Sequence, residues 1–140
     1  MRCEDEIQQT FVALKPDAVE RKLIGRIIQR FEDRGFNIIE IKMLKLSKEL
    51  AEEYYSEHKG KEFYERLITF MTSGKIVAMV IEGERAINTV RKMIGNTCPY
   101  DAFPGTIRGD FGLYLPKNII HASDSIDGAK KEIELFFDSK

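Results

Sequence analysis

Two short, continuously apolar runs constrain the fold of this chain more than any other feature. Residues 10–14 read TFVAL and residues 76–81 read IVAMVI. Runs of this length and composition are typical of buried strands, and the second has the pattern of a central strand that is covered on at least one face. Pro16 and Gly83 are predicted to end them, because both residues interrupt regular strands. The chain is therefore predicted to fold around a sheet.

Helices are predicted where apolar residues recur at helical spacing. Such spacing occurs over residues 23–31, 86–94 and 129–137. The first two segments are followed by a glycine, which favours the end of a helix. Ser125 or Asp127 is a predicted N-cap of the third, because short polar side chains accept hydrogen bonds from the first turn. The last helix is predicted to turn an apolar stripe towards the core.

The remaining segments predict two more strands and a helical hairpin. Residues 36–46 alternate apolar and polar side chains, as a half-buried strand does, and residues 107–115 are predicted to form the last strand. Between the second and third strands, a polar helix behind an N-cap at Ser47 and a second helix over residues 63–71 are separated near Gly60. These two helices are predicted to form a hairpin.

The order of these elements predicts the fold class. It contains the β-α-β-β-α-β pattern of a ferredoxin-like α+β sandwich, with a four-stranded antiparallel sheet, the inserted helical hairpin and a C-terminal helix. With 140 residues, the chain is predicted to be a single domain, residues 1–140. The first nine residues, acidic and polar, are predicted to be loosely held.

Composition limits the classes of function. Twenty-two basic and 23 acidic side chains leave a net charge of -1, so nucleic acid is not an expected partner. No apolar run is long enough to cross a bilayer, and no signal peptide is expected. Cys3 and Cys98 are too few for a disulfide framework. A cytoplasmic location with reduced thiols is expected.

His121 is the strongest candidate for chemistry. Neither of the glycine-rich phosphate-binding motifs occurs in the sequence, so any phosphate must be bound largely by side chains. His121 lies in NIIHASDS, between an apolar pair and small polar residues. A neutral imidazole is a competent nucleophile when a partner, here Ser123 or Glu132, holds its other nitrogen. Composition alone leaves a loop or helix-cap histidine equally open.

Other candidates could bind a nucleotide. Arg91 and Arg108 could each direct a fork of hydrogen bonds at phosphate oxygens, and Lys15 follows a strand end. Phe63, with Tyr55 before it, could offer an aromatic face to a base. Each has a plainer reading, as a surface cation, a strand-end lysine or a core aromatic. No His, Cys, Asp or Glu cluster has metal-ligand spacing, so a stable protein-bound metal is not expected; if a nucleoside triphosphate binds, Mg²⁺ would arrive on its phosphates.

Along nearly its whole length the sequence resembles the nucleoside diphosphate kinase family. The resemblance is carried by VALKPDAV, SGKIVAMVIEG, PGTIRGDF and above all NIIHASDS, which is similar to the family's specific N-x-x-H-G-S-D-S signature. It implies that His121 is phosphorylated and that Ser123 and Glu132 hold its ring. Ala122 stands where the family usually has glycine, and would be strained if the backbone there had a positive φ.

The resemblance also implies a nucleotide site. Lys15 and Asn118 match the residues that engage sugar hydroxyls and phosphate oxygens, and Tyr55 matches a tyrosine near the transferred phosphoryl group. The matching phosphate clamp is Arg91, Thr97 and Arg108. The matching slot for the base is Phe63, Leu67 and Leu115. His58 follows Tyr55 by three residues, and whether it reaches a phosphate is left open by the sequence.

The activity implied is transfer of the γ-phosphate of a nucleoside triphosphate, mainly ATP, to a nucleoside diphosphate. A ping-pong mechanism through phosphohistidine, Mg²⁺ dependence and maintenance of ribo- and deoxyribonucleoside triphosphate pools belong to the same implication. A homo-oligomer is expected, a hexamer first and a tetramer or dimer as alternatives. Two other classes stay open at this stage: a ferredoxin-like module that binds nucleotide or nucleic acid without turnover, and an interaction protein without chemistry.

Overall fold

The computed structural model of the protein describes residues 6–138. The strands are β1 (Ile7–Leu14), β2 (Asn37–Lys45), β3 (Lys75–Glu84) and β4 (Ile120–Ala122). The α-helices are α1 (Pro16–Glu20), α2 (Ile24–Asp33), α3 (Lys48–Tyr54), α4 (Tyr64–Met71), α5 (Ala86–Ile94), α6 (Ile107–Phe111) and α7 (Ile126–Phe137). Two 3₁₀ turns, Ser56–His58 and Pro99–Asp101, lie in the connections after α3 and α5.

The strands form one antiparallel sheet in the order β2-β3-β1-β4. The two apolar runs of the sequence are the two inner strands, with Ala13 opposite Ala78 on β3 and opposite His121 on β4. The helices pack on this sheet, with α3 and α4 as the inserted hairpin and α7 as the C-terminal helix. The predicted ferredoxin-like α+β fold is confirmed.

Each face of the sheet carries its own apolar core, because successive strand residues point to opposite faces. On one face, α1, α2 and α5 pack over residues that include Val12 and Met79. On the other, α3, α4 and α7 pack over residues that include Phe11, whose ring stacks on Phe136 with the centroids 4.7 Å apart. The inner strands are thus covered on both faces, which explains their continuous apolar runs.

The prediction of the last strand was wrong. Residues 107–111 form α6, begun by Thr106, whose Oγ1 accepts a hydrogen bond from the Gly109 amide. Ile107 and Phe111 share one face of this helix at a spacing of four residues, and the helix was mistaken for a strand because a segment this short gives no clear period. The real last strand is β4, which is only three residues long and contains His121.

Two predicted boundaries also differ from the structure. Residues 7–9, predicted to be loosely held, belong to β1, and residues 1–5 lie outside the described part. Gly83 does not end β3, which runs to Glu84. A Cβ at Gly83 would lie 2.3 Å from the ring of Phe36, so glycine allows that ring to pack against the strand. Ser125, rather than Asp127, caps α7, because its Oγ accepts from the Gly128 amide.

Strand β2 is less covered than its alternating pattern predicted. It lies at the edge of the sheet, and Ile39, Ile41 and Met43 are 43%, 51% and 50% exposed. The helices of the described chain do not cover this apolar row. The face of β2 that was predicted to be buried is therefore exposed. Within residues 6–138, no helix is both long enough and apolar enough to cross a membrane.

Candidate active site

His121 is held at the sheet by a chain of hydrogen bonds. It lies on β4, and its Nε2 is 3.1 Å from Oε2 of Glu132 on α7. The other carboxylate oxygen, Oε1, accepts a hydrogen bond of 2.5 Å from the Ser123 hydroxyl. That hydroxyl in turn accepts from the amide of Phe11 on β1. The imidazole is therefore oriented by Glu132, and Glu132 is oriented by Ser123.

This arrangement assigns different tasks to the two ring nitrogens. A carboxylate accepts hydrogen bonds, so Nε2 carries the hydrogen in the pair with Glu132. In the neutral imidazole, Nδ1 then keeps its lone pair. Tyr54 packs edge-on against the ring with the centroids 5.1 Å apart, which further limits its rotation. The side chain of His121 is 27% exposed, so the ring is fixed yet accessible.

The backbone before His121 has a strained turn. Ile119 has a φ of 78° and is fully buried, a conformation that is a genuine outlier for a β-branched residue. Its amide donates to Oδ2 of Asp17 at 3.1 Å, and its carbonyl accepts from the Lys15 amide at 2.8 Å. Burial raises the pKa of Asp17. The strain is thus offset by bonds to the β1–α1 junction, and it sets the directions of the residues on either side.

Lys15 and Asn118 meet beside this turn. Lys15 Nζ donates to Asn118 Oδ1 at 2.7 Å, and Asn118 Nδ2 donates to the carbonyl of Thr97 at 2.9 Å. Both side chains are buried, with relative exposures of 7% and 2%. The loop after α5, the end of β1 and the turn before β4 are therefore tied together by polar side chains at one point.

Two arginines are fixed by backbone carbonyls on the same side. Arg108 Nη2 donates to Ile120 O at 2.7 Å and its Nη1 to Gly95 O at 3.1 Å. Arg91 Nη1 donates to Ala122 O at 3.2 Å. Gly95 has a φ of +87°, and a Cβ there would lie 2.5 Å from Thr106 Oγ1, so only glycine lets the loop approach α6 so closely.

The three cations create an unbalanced positive charge. Burial, and then the charge of Arg108, lower the pKa of Lys15 to about 8. Burial, and then the charge of Arg91, lower the pKa of Arg108 to about 10. Lys15 and Arg108 remain largely protonated at neutral pH, and within residues 6–138 none of the three cations has a carboxylate partner within 4.0 Å. Such a cluster favours an anion, because an anion would relieve the repulsion.

These residues line one cavity of about 520 Å³. Its lining includes the three cations, Thr97, Asn118 and His121, and also a group of large side chains, namely Tyr55, Phe63, Leu67, Leu115 and Pro116. Phe63 is 41% exposed, although it lies at the start of α4. The Tyr55 hydroxyl and the Arg108 Nε are buried with no hydrogen-bond partner in residues 6–138. Burial raises the pKa of Tyr55, so its phenol is a proton donor that lacks an acceptor.

The structure brings the candidate residues of the sequence together. Ten of them line the cavity: Lys15, Tyr55, Phe63, Leu67, Arg91, Thr97, Arg108, Leu115, Asn118 and His121. Ser123 and Glu132 lie behind the imidazole, as described above. Glu132 contacts the ring directly, whereas Ser123 reaches it through Glu132. None of the candidates is remote from the site.

Other residues of the site were not predicted from the sequence. His58, whose role the sequence left open, lines the cavity, and Arg66 does too. Arg66 lies three residues after Phe63 on the same helical face, and this spacing could have identified it from the sequence. Asp17 and Tyr54 support the turn and the imidazole from behind. The sequence contains no indication of their roles, because an aspartate at the start of a helix and a tyrosine within a helix are both ordinary.

Ala122 is not strained. Its backbone is not among the positive-φ positions of the described chain, and it is a fully buried residue of β4. The methyl group packs in the core between the sheet and α5. The carbonyl is the acceptor for Arg91, and a carbonyl is the same whether the residue is alanine or glycine. The departure from the family signature is therefore accommodated without strain.

Fold and site together define a phosphate-transferring enzyme: an oriented imidazole faces a cavity that also contains an exposed aromatic ring and four cations, none of which has a carboxylate within 4.0 Å among residues 6–138. Comparison with known proteins gives the particular family. The sequence profile of the nucleoside diphosphate kinase family matches residues 8–140. The nucleoside diphosphate kinase of Methanococcus maripaludis is 77% identical over 131 residues, which cover 94% of this chain and 98% of the relative.

Solved structures agree with this assignment. The nucleoside diphosphate kinase of Aquifex aeolicus has a TM-score of 0.93 at 42% identity, covering 96% of this chain and 97% of that one. The halophilic nucleoside diphosphate kinase of Halobacterium salinarum, solved in complex with CDP, has a TM-score of 0.92 at 47% identity, covering 97% and 90%. The chain belongs to the nucleoside diphosphate kinase family and is a kinase that transfers phosphate.

Proposed function

We propose that the protein transfers the γ-phosphoryl group of a nucleoside triphosphate, mainly ATP, to a nucleoside diphosphate in two half-reactions through a phosphohistidine at His121. The observation that carries this proposal is the Ser123–Glu132–His121 chain of hydrogen bonds beside the part of the cavity that is lined by Lys15, Arg91 and Arg108. Ser123 and Glu132 fix the imidazole ring of His121. The cavity supplies the charge that a polyphosphate requires.

In the first half-reaction, the lone pair of Nδ1 attacks the γ-phosphorus in line. The bond between that phosphorus and the bridging oxygen to the β-phosphate breaks, and the nucleoside diphosphate leaves with the electron pair. The ring becomes positively charged at this point, and the hydrogen bond from Nε2 to the Glu132 carboxylate stabilises it. In the second half-reaction, a terminal β-phosphate oxygen of another diphosphate attacks the phosphorus, and Nδ1 recovers its lone pair.

Charge stabilisation comes from the side chains that line the phosphate end. Arg91, Arg108 and Lys15 are already held by carbonyl or amide oxygens, so they need little reorganisation when charge develops on the phosphoryl oxygens. We assign Thr97 and Asn118 to the same clamp, with Asn118 and Lys15 reaching the sugar hydroxyls. The Tyr55 hydroxyl, which has no hydrogen-bond partner among residues 6–138, has the chemistry to donate to the transferred group.

The other end of the cavity suits the base. Phe63 offers an exposed ring, and Leu67 and Leu115 complete an apolar slot that tolerates any base, ribose or deoxyribose. The relative from Halobacterium salinarum was solved with a cytosine nucleotide, CDP. Mg²⁺ enters as part of the substrate in this proposal, because the phosphate end has cations and neutral donors, which bind phosphate oxygens, rather than the carboxylates that hold Mg²⁺.

A homo-oligomer is part of the proposal, with a hexamer favoured over a tetramer or dimer. Two exposed apolar regions support it. One is the row Ile39, Ile41 and Met43 on the edge strand β2, and the other is the loop after α5, where Tyr100 and Phe103 are 80% and 79% exposed. Exposed apolar patches are typical of protein–protein interfaces. A cytoplasmic role in maintaining nucleoside triphosphate pools completes the proposal.

The experiment that tests the mechanism uses ATP labelled on its γ-phosphate. Protein incubated with labelled ATP and Mg²⁺ is separated from nucleotide and then mixed with GDP. We expect acid-labile label on the protein that passes into GTP. His121→Ala should acquire no label and lose all exchange while it still binds ADP, because the ring supplies the nucleophile rather than the clamp. His58→Gln is the matched control, since it alters the only other histidine of the sequence and should keep the label.

The same experiment separates the two rival functions. A module that binds nucleotide without turnover would bind ADP and acquire no label. An interaction protein would show neither binding nor label. Label that persists in His121→Ala would overturn the assignment of the nucleophile.

A further inference from the structure

Arg66 is a cation of the cavity that the proposed mechanism does not use. It lies in the first turn of α4, three positions after Phe63 and one before Leu67, and all three side chains line the cavity. Helical residues three or four positions apart are neighbours on one face. The guanidinium of Arg66 therefore belongs to the wall that carries the aromatic ring, whereas the clamp arginines come from α5 and α6.

Arg66 differs from the clamp arginines in its partners. Arg91 and Arg108 donate to backbone carbonyls. Within residues 6–138, the guanidinium of Arg66 makes no hydrogen bond and has no carboxylate within 4.0 Å. An arginine carries five N–H donors and no acceptor. Arg66 thus places a complete set of donors at the cavity wall.

The rest of this wall has few groups that could recognise the edge of a base. Phe63, Leu67 and Leu115 have no side-chain hydrogen-bonding group. The ring of His58 already has its Nδ1 within 3.1 Å of Lys61 Nζ. A base stacked on Phe63 would present its outer edge to solvent and to whichever polar side chain can reach it. Arg66 has both the length and the free donors to do so.

We infer that Arg66 binds the outer edge of the base and favours acceptor nucleotides whose base has a carbonyl group there. Guanine presents O6 and N7 together, which match the forked donors of an arginine, and uracil presents a single carbonyl. Adenine presents the acceptor N7 beside an amino group, and cytosine presents an amino group alone, so neither base offers two adjacent acceptors to the fork. The inference rests on the proposed function, because it requires the base to stack on Phe63.

The test compares kcat/KM for GDP, UDP, ADP and CDP in the unmodified enzyme and in Arg66→Gln. We expect kcat/KM for GDP to fall about threefold to tenfold, the low end of bidentate readout because Arg66 is exposed, and UDP to fall less. CDP should change less than about twofold, since cytosine has no acceptor for the fork, and ADP should change less than GDP, since adenine offers only N7. The losses should lie in KM, because the base edge is not altered in the transition state.

Two control variants separate readout from charge. Arg66→Lys keeps the charge without the fork, and the ratio of GDP to ADP should still fall at least about twofold. Arg26→Gln removes the same charge from an exposed position on α2 outside the cavity, and all four substrates should keep their values. An equal fall for all four substrates in Arg66→Gln, or no fall for any, would overturn the inference.

A further variant keeps this outcome distinct from failure of the proposed function. Phe63→Ala should weaken all four nucleotides to a similar extent, because stacking does not depend on the identity of the base. If it does so while Arg66→Gln changes nothing, only the role of Arg66 is refuted. If Phe63→Ala itself changes nothing, the base does not lie on this wall, and both the slot and the role of Arg66 are refuted.

Discussion

The two ends of the cavity are built differently. At the phosphate end, Lys15, Arg108 and Asn118 are at most 7% exposed, and each is held by hydrogen bonds of 2.7–3.1 Å. At the base end, Phe63 and Leu115 are 41% and 52% exposed, and Arg66 has no described partner. If the proposed function is right, the groups that act on charge are buried and held by hydrogen bonds, whereas the groups that contact the variable part of a substrate are exposed.

The physical reason lies in what each end must do. Charge that develops on a phosphoryl group is stabilised best by donors that do not move, because reorganisation costs free energy during the reaction. A base contributes stacking, which depends on contact area and tolerates displacement. Changes at the phosphate end are therefore expected to reduce kcat, and changes at the base end to raise KM.

Arg108→Ala tests the phosphate end of the cavity. We expect kcat/KM to fall by about 100-fold to 1,000-fold, as when one preorganised donor to a developing charge is removed. Stability should fall by about 1–3 kcal/mol as well, because the carbonyls of Ile120 and Gly95 lose their donor. Steady-state kinetics and thermal unfolding measure the two effects. Arg30→Ala, which removes an exposed ion pair with Asp110, should leave kcat/KM unchanged, and an unaltered kcat/KM in Arg108→Ala would remove Arg108 from the clamp.

Glu132 and Ser123 are predicted to act as one unit behind the imidazole. Glu132→Gln should reduce kcat by about 10-fold to 100-fold, because a neutral partner stabilises the charged ring less well. Ser123→Ala should have a smaller effect of the same kind, since the hydroxyl acts by holding the carboxylate. A double-mutant cycle on the phosphorylation rate measures the coupling. Effects that simply multiply would contradict the chain of contacts.

Phe63→Ala tests the base end of the cavity. The KM for every nucleoside diphosphate should rise by roughly tenfold, near the low end of the range for loss of one aromatic–base stack. The turnover number should change less than about twofold, because the ring does not touch the phosphoryl group. The decisive quantity is the split between KM and kcat. A large fall in kcat with an unchanged KM would mean that the two ends are not independent.

The pKa of Lys15 predicts a pH dependence of binding. The free protein has this pKa lowered to about 8, and a bound diphosphate should raise it, because the anion favours the ammonium form. Binding therefore takes up a proton above pH 8, and affinity falls as pH rises. The Kd for ADP should increase about fourfold between pH 7 and pH 8.5, as measured by calorimetry. Lys15→Arg stays charged throughout and should give a nearly flat profile; equal slopes in both proteins would contradict this origin.

The sequence predicts the fold well where elements are long or apolar. The inner strands are predicted by their continuous apolar runs. Helices α2, α5 and α7 are predicted by the helical spacing of their apolar residues. The pattern fails at residues 107–122, where α6 has five residues and β4 has three. A strand of three residues is defined by its partner, here β1 through the pair Ala13 and His121, and partner pairing is not visible along one chain.

The candidate site followed from recognition of motifs more than from periodicity. Single residues such as Arg108 or Phe63 have ordinary structural readings, and only the resemblance assembled them. What it could not supply is the order of contacts, in which Glu132 touches the ring and Ser123 touches Glu132. The buried Asp17 and the strained Ile119 were also beyond prediction, because a positive φ at a β-branched residue depends on tertiary hydrogen bonds.

The most direct test of the mechanism identifies the ring nitrogen that carries the phosphoryl group. Protein containing ¹⁵N-labelled histidine is phosphorylated with ATP and Mg²⁺, and NMR then detects the nitrogen coupled to phosphorus. The sequence has only two histidines, His58 and His121, so assignment is simple. We predict coupling to Nδ1 of His121, the nitrogen left free by Glu132. Coupling to Nε2 or to His58, or the absence of a phosphorylated histidine, would contradict the account.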